Sequence, residues 1–317
     1  MDNEAQKPPV VVIAGPTASG KTSLSIRLAE RFDGEIISAD AMAVYRRMDV
    51  GTAKPTAGEQ ARVPHHLVDV VEPDEPFDAA RFSRLAREAA AKIHARGKKV
   101  FVAGGTGLYI RAFLYGLFAP GKSDPTLRNR LRAEAEALGA PALHARLARV
   151  DPAAAGRIHQ NDAVRIVRAL EVATLAEAPI SRLQEEHGFS QSPYRHLSLC
   201  LAPEREDLYA RINRRTDLML EQGLVEEVET LLQQGYDPTS KPFQSIGYKE
   251  VVRYLAGGLG FEEMRKEIAK QTRRFAKRQL TWFKKEPGMQ WVRPDQEGEI
   301  FRLVEDFLGA GAAPAGE

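Results

Sequence analysis

The sequence predicts an α/β fold: a P-loop parallel-sheet core flanked by helices, with a helical insertion domain. Three observations carry this. A complete G-x-x-x-x-G-K-[ST] phosphate loop stands between an apolar strand candidate and a helix with apolar periodicity. Strand and helix signals then alternate through roughly the first 115 residues, as crossover connections in a parallel sheet require. Near Pro120 the chain becomes rich in Ala and Arg and reads as helices alone.

Val10, Val11, Val12, Ile13 and Ala14 form the first strand, and Leu24, Ile26 and Leu28 mark the helix that follows. Between them lie Gly15, Pro16, Thr17, Ala18, Ser19, Gly20, Lys21 and Thr22. The glycines let the backbone curl with its N–H groups inward, and the helix adds its positive N-terminal end, which together make an anion cradle. Lys21 would neutralise a terminal phosphate, and the Thr22 or Ser23 hydroxyl would reach Mg²⁺. The loop alone is generic and equally admits ATP.

Glu35 to Asp40 reads as a short strand ending on a carboxylate, and His66 to Val70 as another strand. Phe82 to Arg96 reads as a helix with Leu85, Ala89 and Ile93 on one face. Lys99 to Ala103 is a further strand, closed by Gly104, Gly105, Thr106 and Gly107, with Tyr109 close behind. Ligands of open parallel sheets sit beyond the carboxyl ends of the strands, so Asp40, Thr106 and the P-loop are expected to converge. A carboxylate at Asp40 suits metal binding or proton removal from a nucleophile. The same residue is also an ordinary turn former.

The insertion spans 121–193 and the core 1–120 plus 194–317. Within the insertion, helices are expected at Leu127 to Leu138, Ala142 to Arg149 and Asp162 to Ala176. His196 to Leu201 returns to the sheet, Glu206 to Gln234 is helical, and Gly309 to Glu317 frays. Arg165 and Arg168 share a helix face, as do Arg211 and Arg215, and each pair suits either phosphate or a solvated surface.

Composition is that of a soluble globular protein, with 317 residues that are 43% hydrophobic and 28% charged, so disorder is not the default. A lone cysteine, Cys200, fits a reducing compartment. Without a signal-peptide pattern or a membrane-length apolar run, a cytoplasmic protein with no membrane contact is expected. The net charge is only +2, but Arg265 to Lys285 holds nine basic residues and one acidic one. That asymmetry suggests a polyanion partner. The interleaved Phe275, Trp282 and Phe283 are expected to pack inward.

These segments together resemble bacterial tRNA dimethylallyltransferases. The resemblance is carried by the P-loop, Ile37 to Asp40, Val44 to Pro55, Gly104 to Tyr109, Asn161 to Val172 and Ser245 to Glu250, in family order. It implies transfer of a dimethylallyl group from dimethylallyl diphosphate to the exocyclic N6 of an adenosine beside the tRNA anticodon. Asp40 is then the general base and Thr106 orients the reacting groups. The P-loop, with Mg²⁺ at Thr22 and help from Arg215, holds the departing diphosphate. Contacts to the tRNA anticodon stem-loop are implied for Asp40, Ala41, Met42, Ala43, Thr106, Arg128, Val164, Arg165, Ile166, Val167, Arg168, Ser245, Ile246, Gly247, Tyr248, Lys249 and Glu250. The insertion becomes a lid over the anticodon loop, and the chain a monomer. Ala41 departs from the family, which usually has Ser there, and this removes a hydroxyl beside the reacting base. A P-loop kinase of a nucleotide or small metabolite, and a non-catalytic RNA-binding protein, are the competing readings.

Overall fold

The apolar run after Lys7 forms the interior strand β1 (Pro9–Ala14), buried from Val10 onward. It is followed by α1 (Lys21–Arg31), β2 (Gly34–Ser38), α2 (Ala57–Arg62), β3 (His65–His66), α3 (Ala79–Ala95), β4 (Lys99–Gly104) and α4 (Gly107–Tyr115). Five helices come next: α5 (Pro125–Leu138), α6 (Ala140–Val150), α7 (Pro152–Arg157), α8 (Ala163–Ala176) and α9 (Ile180–His187). The chain returns through β5 (Arg195–Leu201), α10 (Arg205–Glu221), α11 (Leu224–Gln233), α12 (Tyr248–Leu255), α13 (Phe261–Phe283), β6 (Met289–Val292) and α14 (Glu297–Gly309). This computed structural model describes residues 6–117, 124–188 and 191–310.

The strands form one sheet in the order β3-β2-β4-β1-β5-β6, and every pairing is parallel. Register brings the carboxyl ends level: Ala14 lies beside both Gly104 and Cys200, and Ser38 beside Ala103. The turn after β1 therefore shares one edge with the residues that follow β2 and β4. Helix α1 packs Leu24, Ile26 and Leu28 against Val11, Ile13, Phe101 and Leu199, while Ile300 and Val304 of α14 complete that core.

Two compact units result: Met1–Leu114 with Pro193–Glu317, and Tyr115–Ser192. The second is a helical unit around Leu127, Leu131, Leu143, Leu147, Ile166 and Leu170. Its interior also holds Glu171, 0% exposed, paired to Arg128 at 2.9 Å and Arg168 at 2.8 Å. Two guanidiniums offset the cost of burying that carboxylate, so removing either leaves a buried charge half-compensated.

Several expected elements differ. His66 to Val70 is not a strand: β3 stops at His66 because Leu67 (φ 63°) and Asp69 (φ 55°) are left-handed. The helix expected over Glu206 to Gln234 is broken at Gly223 (φ 94°) into α10 and α11. The sequence signals do not predict helices α2, α4, α7, α9, α12 and α14 or strand β6. Each is short or has its apolar face defined by tertiary neighbours. The fraying segment falls mostly on residues 311–317, outside the described residues.

Gly104 is fixed by close approach: a Cβ there would lie 2.1 Å from the Ala39 carbonyl oxygen, which is backbone and cannot yield. Gly104→Ala is expected to cost at least about 1–3 kcal/mol, read as a lower melting temperature. Gly58→Ala is the control. The nearest atom to its Cβ is Thr56 Oγ1 at 4.0 Å, so it should be neutral or stabilise by up to about 1 kcal/mol.

Candidate active site

The phosphate loop runs from Gly15 to the first turn of α1, with Ala18 (φ 62°) and Gly20 (φ 92°) in left-handed conformations. Those angles turn the chain so that successive amides face one concavity. The Thr17 amide donates instead to Gln279 Oε1 at 2.8 Å, and the Ser19 amide to the Pro16 carbonyl at 3.3 Å. The amides of Ala18, Gly20, Lys21, Thr22 and Ser23 have no acceptor among the described residues. Five free donors at a helix N-terminus form an anion nest.

Lys21 is half-buried and donates to the Pro16 carbonyl at 2.5 Å. Burial and the charge of Arg215 bring its amine down to about 8, with Asp40 pulling the other way. Arg215, on α10, is likewise lowered by burial and raised by Asp40. It makes no ion pair among the described residues. One turn earlier on the same helix, Arg211 lies beside the loop, its guanidinium nitrogen 3.9 Å from where a Cβ on Gly20 would stand. Lysine and arginines thus face the nest, and Asp40 is the carboxylate felt by Lys21 and Arg215 alike.

Asp40 follows β2 by two residues. Its Oδ1 accepts from the amides of Met42 (2.8 Å) and Ala43 (3.3 Å). Oδ2 takes no hydrogen bond among the described residues. One oxygen of Asp40 thus fixes the turn, and the other is not engaged in it. Thr106 comes to the same place from β4. Its amide donates to the Ala39 carbonyl at 3.2 Å, and its Oγ1 accepts from the Ala41 amide at 3.1 Å. The Ala41 position thus serves Thr106 through its backbone. Tyr109 is packed against Phe82, ring centroids 4.3 Å apart, and burial raises its hydroxyl pKa.

Other expected site residues divide by burial. In the helical unit, Val164 is 81% exposed and Arg165 is also exposed, whereas Ile166 and Val167 lie in the core. The side chains of Ile166 and Val167 therefore hold the helix in its core. Arg128 and Arg168 are committed to Glu171. In 245–250, Tyr248 and Glu250 are buried: the Tyr248 hydroxyl donates to Glu227 at 2.5 Å, and Glu250 accepts from the Gly247 amide at 2.8 Å. Glu227 also accepts from the amides of Asp49, Val50 and Gly51, which ties the 49–51 turn to α11. Ser245, Ile246 and Lys249 are partly exposed.

Along α13, Phe283 is buried, but Phe275 is 37% exposed, with the Arg278 guanidinium 5.7 Å from its ring. The expectation that Phe275 packs inward is corrected: it sits on the solvent face of the helix among cations. Lys266, Arg274, Lys277, Arg278, Lys284 and Lys285 make no ion pair among the described residues. Sequence reading passed over Gln279 and Glu227. Both lie on ordinary helical stretches, and only their distant partners mark them.

Uncommitted amides at a helix N-terminus and a carboxylate stand at one edge of a parallel sheet, an arrangement that suits an α/β protein with an anionic ligand. A family model described as IPP transferase matches residues 43–286. The chain is 51% identical over 302 residues to a tRNA dimethylallyltransferase of Desulfatibacillum aliphaticivorans, covering 95% of this chain and 99% of that one. It is 50% identical over 311 residues to the Geobacter sulfurreducens tRNA dimethylallyltransferase, covering 98% and 100%. Among solved structures it resembles the tRNA isopentenylpyrophosphate transferase of Bacillus halodurans (TM-score 0.72, 40% identity, 96% of this chain and 98% of that one). It also resembles a eukaryotic dimethylallyltransferase acting on tRNA (TM-score 0.83, 29% identity, 95% and 80%). The chain belongs to the IPP transferase family of tRNA dimethylallyltransferases. It is an enzyme, a prenyltransferase, and the kinase reading is not favoured.

The lowered Lys21 sets a pH dependence. A bound anion favours the protonated amine, so inorganic diphosphate should bind best below about pH 8 and weaken as pH rises through that value. Calorimetric titration across this range, with Lys21→Ala as comparison, checks it: the variant should bind more weakly and lose that component of the pH profile.

Proposed function

We propose that the chain carries out its prenyl transfer with the P-loop nest holding the diphosphate of dimethylallyl diphosphate and Asp40 serving as general base. The observation that carries this is the placement of a carboxylate with one free oxygen against cations that face five uncommitted amides. The adenosine N6 attacks C1 of the dimethylallyl group, the C1–O bond breaks, and its electron pair leaves with diphosphate. Asp40 takes the proton that N6 gives up. Negative charge grows on the leaving diphosphate, where the nest, Lys21 and Arg215 oppose it without reorganising. Thr106, fixed by the Ala41 and Ala39 backbone, orients the reacting groups beside Asp40.

The described residues hold no cluster of three or more His, Cys, Asp or Glu suited to a metal. The exposed Thr22 hydroxyl, unpartnered at the head of α1, fits Mg²⁺, which keeps few protein ligands and takes the rest from phosphate and water. Mg²⁺ held by Thr22 would add positive charge to the departing diphosphate.

The acceptor is an adenosine in a tRNA anticodon loop. The unpaired cations on and just beyond α13 suit its phosphate backbone, and exposed Phe275 and Arg278 suit a sugar or base face. In the helical unit, Val164 and Arg165 are the accessible members of the segment assigned to tRNA. Removing the target base from its stack costs a few kcal/mol, which these contacts offset. No helix among the described residues is long and apolar enough to cross a membrane. A monomer in the cytoplasm is the working assignment.

Labelled dimethylallyl diphosphate incubated with unmodified anticodon stem-loop should give labelled RNA. Asp40→Asn should slow transfer by about 10²–10⁴-fold while RNA affinity holds. Full turnover by Asp40→Asn would remove the base assignment. Phosphorylation of a metabolite from ATP, with no prenyl incorporation, would replace the whole reading.

A further inference from the structure

We infer that Gln279 is a positioning residue that locks the phosphate loop to the Thr106 turn, setting the spacing between donor and acceptor sites. The inference rests on the prenyl-transfer reading above. Gln279 lies on α13, far from both loops in sequence, and is 6% exposed. Its Oε1 accepts from the Thr17 amide at 2.8 Å, and its Nε2 donates to the Gly105 carbonyl at 2.9 Å. A donor and an acceptor at one planar terminus are what glutamine has and glutamate or leucine lacks. The orientation of the amide is settled by its partners: an N–H must meet the oxygen, and a carbonyl must meet the NH₂.

The fit is tight. A Cβ on Gly105 would stand 2.2 Å from Nε2. One helical turn on, the Trp282 side chain abuts Gly107 so closely that a Cβ there would lie 2.2 Å from its Nε1, and the Arg111 guanidinium of α4 stacks on its ring at 4.8 Å. Glu286, just past the end of α13, pairs with the same arginine. Gln279, Trp282 and Glu286 recur at helical spacing and hold one side of the crevice together.

Two consequences follow for the reaction. Gln279 keeps the Thr17 amide out of the nest, which leaves the concavity to residues 18–23. It also ties that nest to Gly105, whose neighbour Thr106 touches the Asp40 loop through the Ala41 amide. Among the described residues no other loop or side-chain hydrogen bond joins the two loops. Displacement of reacting groups by about 1 Å can cost a hundredfold in rate, so loss of Gln279 should act mainly on kcat.

The test uses the full chain with Gln279→Leu, which keeps bulk and loses both bonds, and Gln279→Glu, which keeps only the acceptor. Stem-loop prenylation gives kcat and KM, calorimetry gives inorganic diphosphate affinity, and thermal melting gives the folded fraction. Per folded molecule, kcat should fall about 10- to 100-fold, more than KM for the donor rises. Diphosphate binding should weaken about threefold or more, a shift of about 0.65 kcal/mol at RT ≈ 0.59 kcal/mol. A Glu variant that folds but transfers slowly supports the clamp where the Leu variant fails to fold. Wild-type kcat and diphosphate affinity in either folded variant, or losses that track only the unfolded fraction, overturn it. Diphosphate affinity that falls on loss of Gln279, in a protein whose wild type prenylates no RNA, sinks the transfer reading and leaves the clamp standing.

Discussion

The site depends on a run of backbone donors that the fold leaves unsatisfied. At the head of α1, five consecutive or near-consecutive amides find no acceptor, although buried amides in folded proteins nearly always do. An orphaned buried donor costs about 1–3 kcal/mol. The chain tolerates the set because Gly20, Thr22 and Ser23 are exposed, so water satisfies these groups until an anion does. Left-handed Ala18 and Gly20 create the arrangement, and the Gln279 contact with the Thr17 amide limits it to the residues facing the crevice.

Charge is arranged around that nest with the opposite economy. Lys21 and Arg215 are both pushed toward their neutral forms by burial, and Lys21 further by Arg215, while Asp40 steadies each of them. A strongly anionic ligand would relieve the repulsion among the cations. Lys21, Arg215 and Asp40 thus form one set of Coulomb interactions beside the nest.

The helical unit solves a different problem. Its apolar core also holds Glu171, for which Arg128 and Arg168 supply the compensating charge, and nearby Asp151 is buried with the Ser181 amide and hydroxyl donating to it. Arg128 and Arg168, both expected at the tRNA, pair with Glu171, while Val164 and Arg165 beside them are exposed. The basic α13 shows the reverse. Most of its cations remain unpaired, and Phe275 stays on the solvent face among them.

Much was legible in the sequence because the signals were local. The P-loop spacing, the apolar runs of β1, β4 and β5, and the change to helices near Pro120 each reflect forces acting over a few residues. So does the carboxylate just past a short strand that made Asp40 a candidate. What followed from long-range contact was not legible. β4 stands between β1 and β2, Glu171 draws in Arg128 and Arg168, and Glu227 holds the 49–51 turn from a helix far along the chain. Gln279 joins two loops that its own neighbours do not predict. Sequence alone determined which residues can bind phosphate and which can take a proton, because that is fixed by side-chain and backbone chemistry. Only the tertiary structure decided that they face one another, because parallel register levels the strand ends and a distant helix sets the gap between the loops they carry.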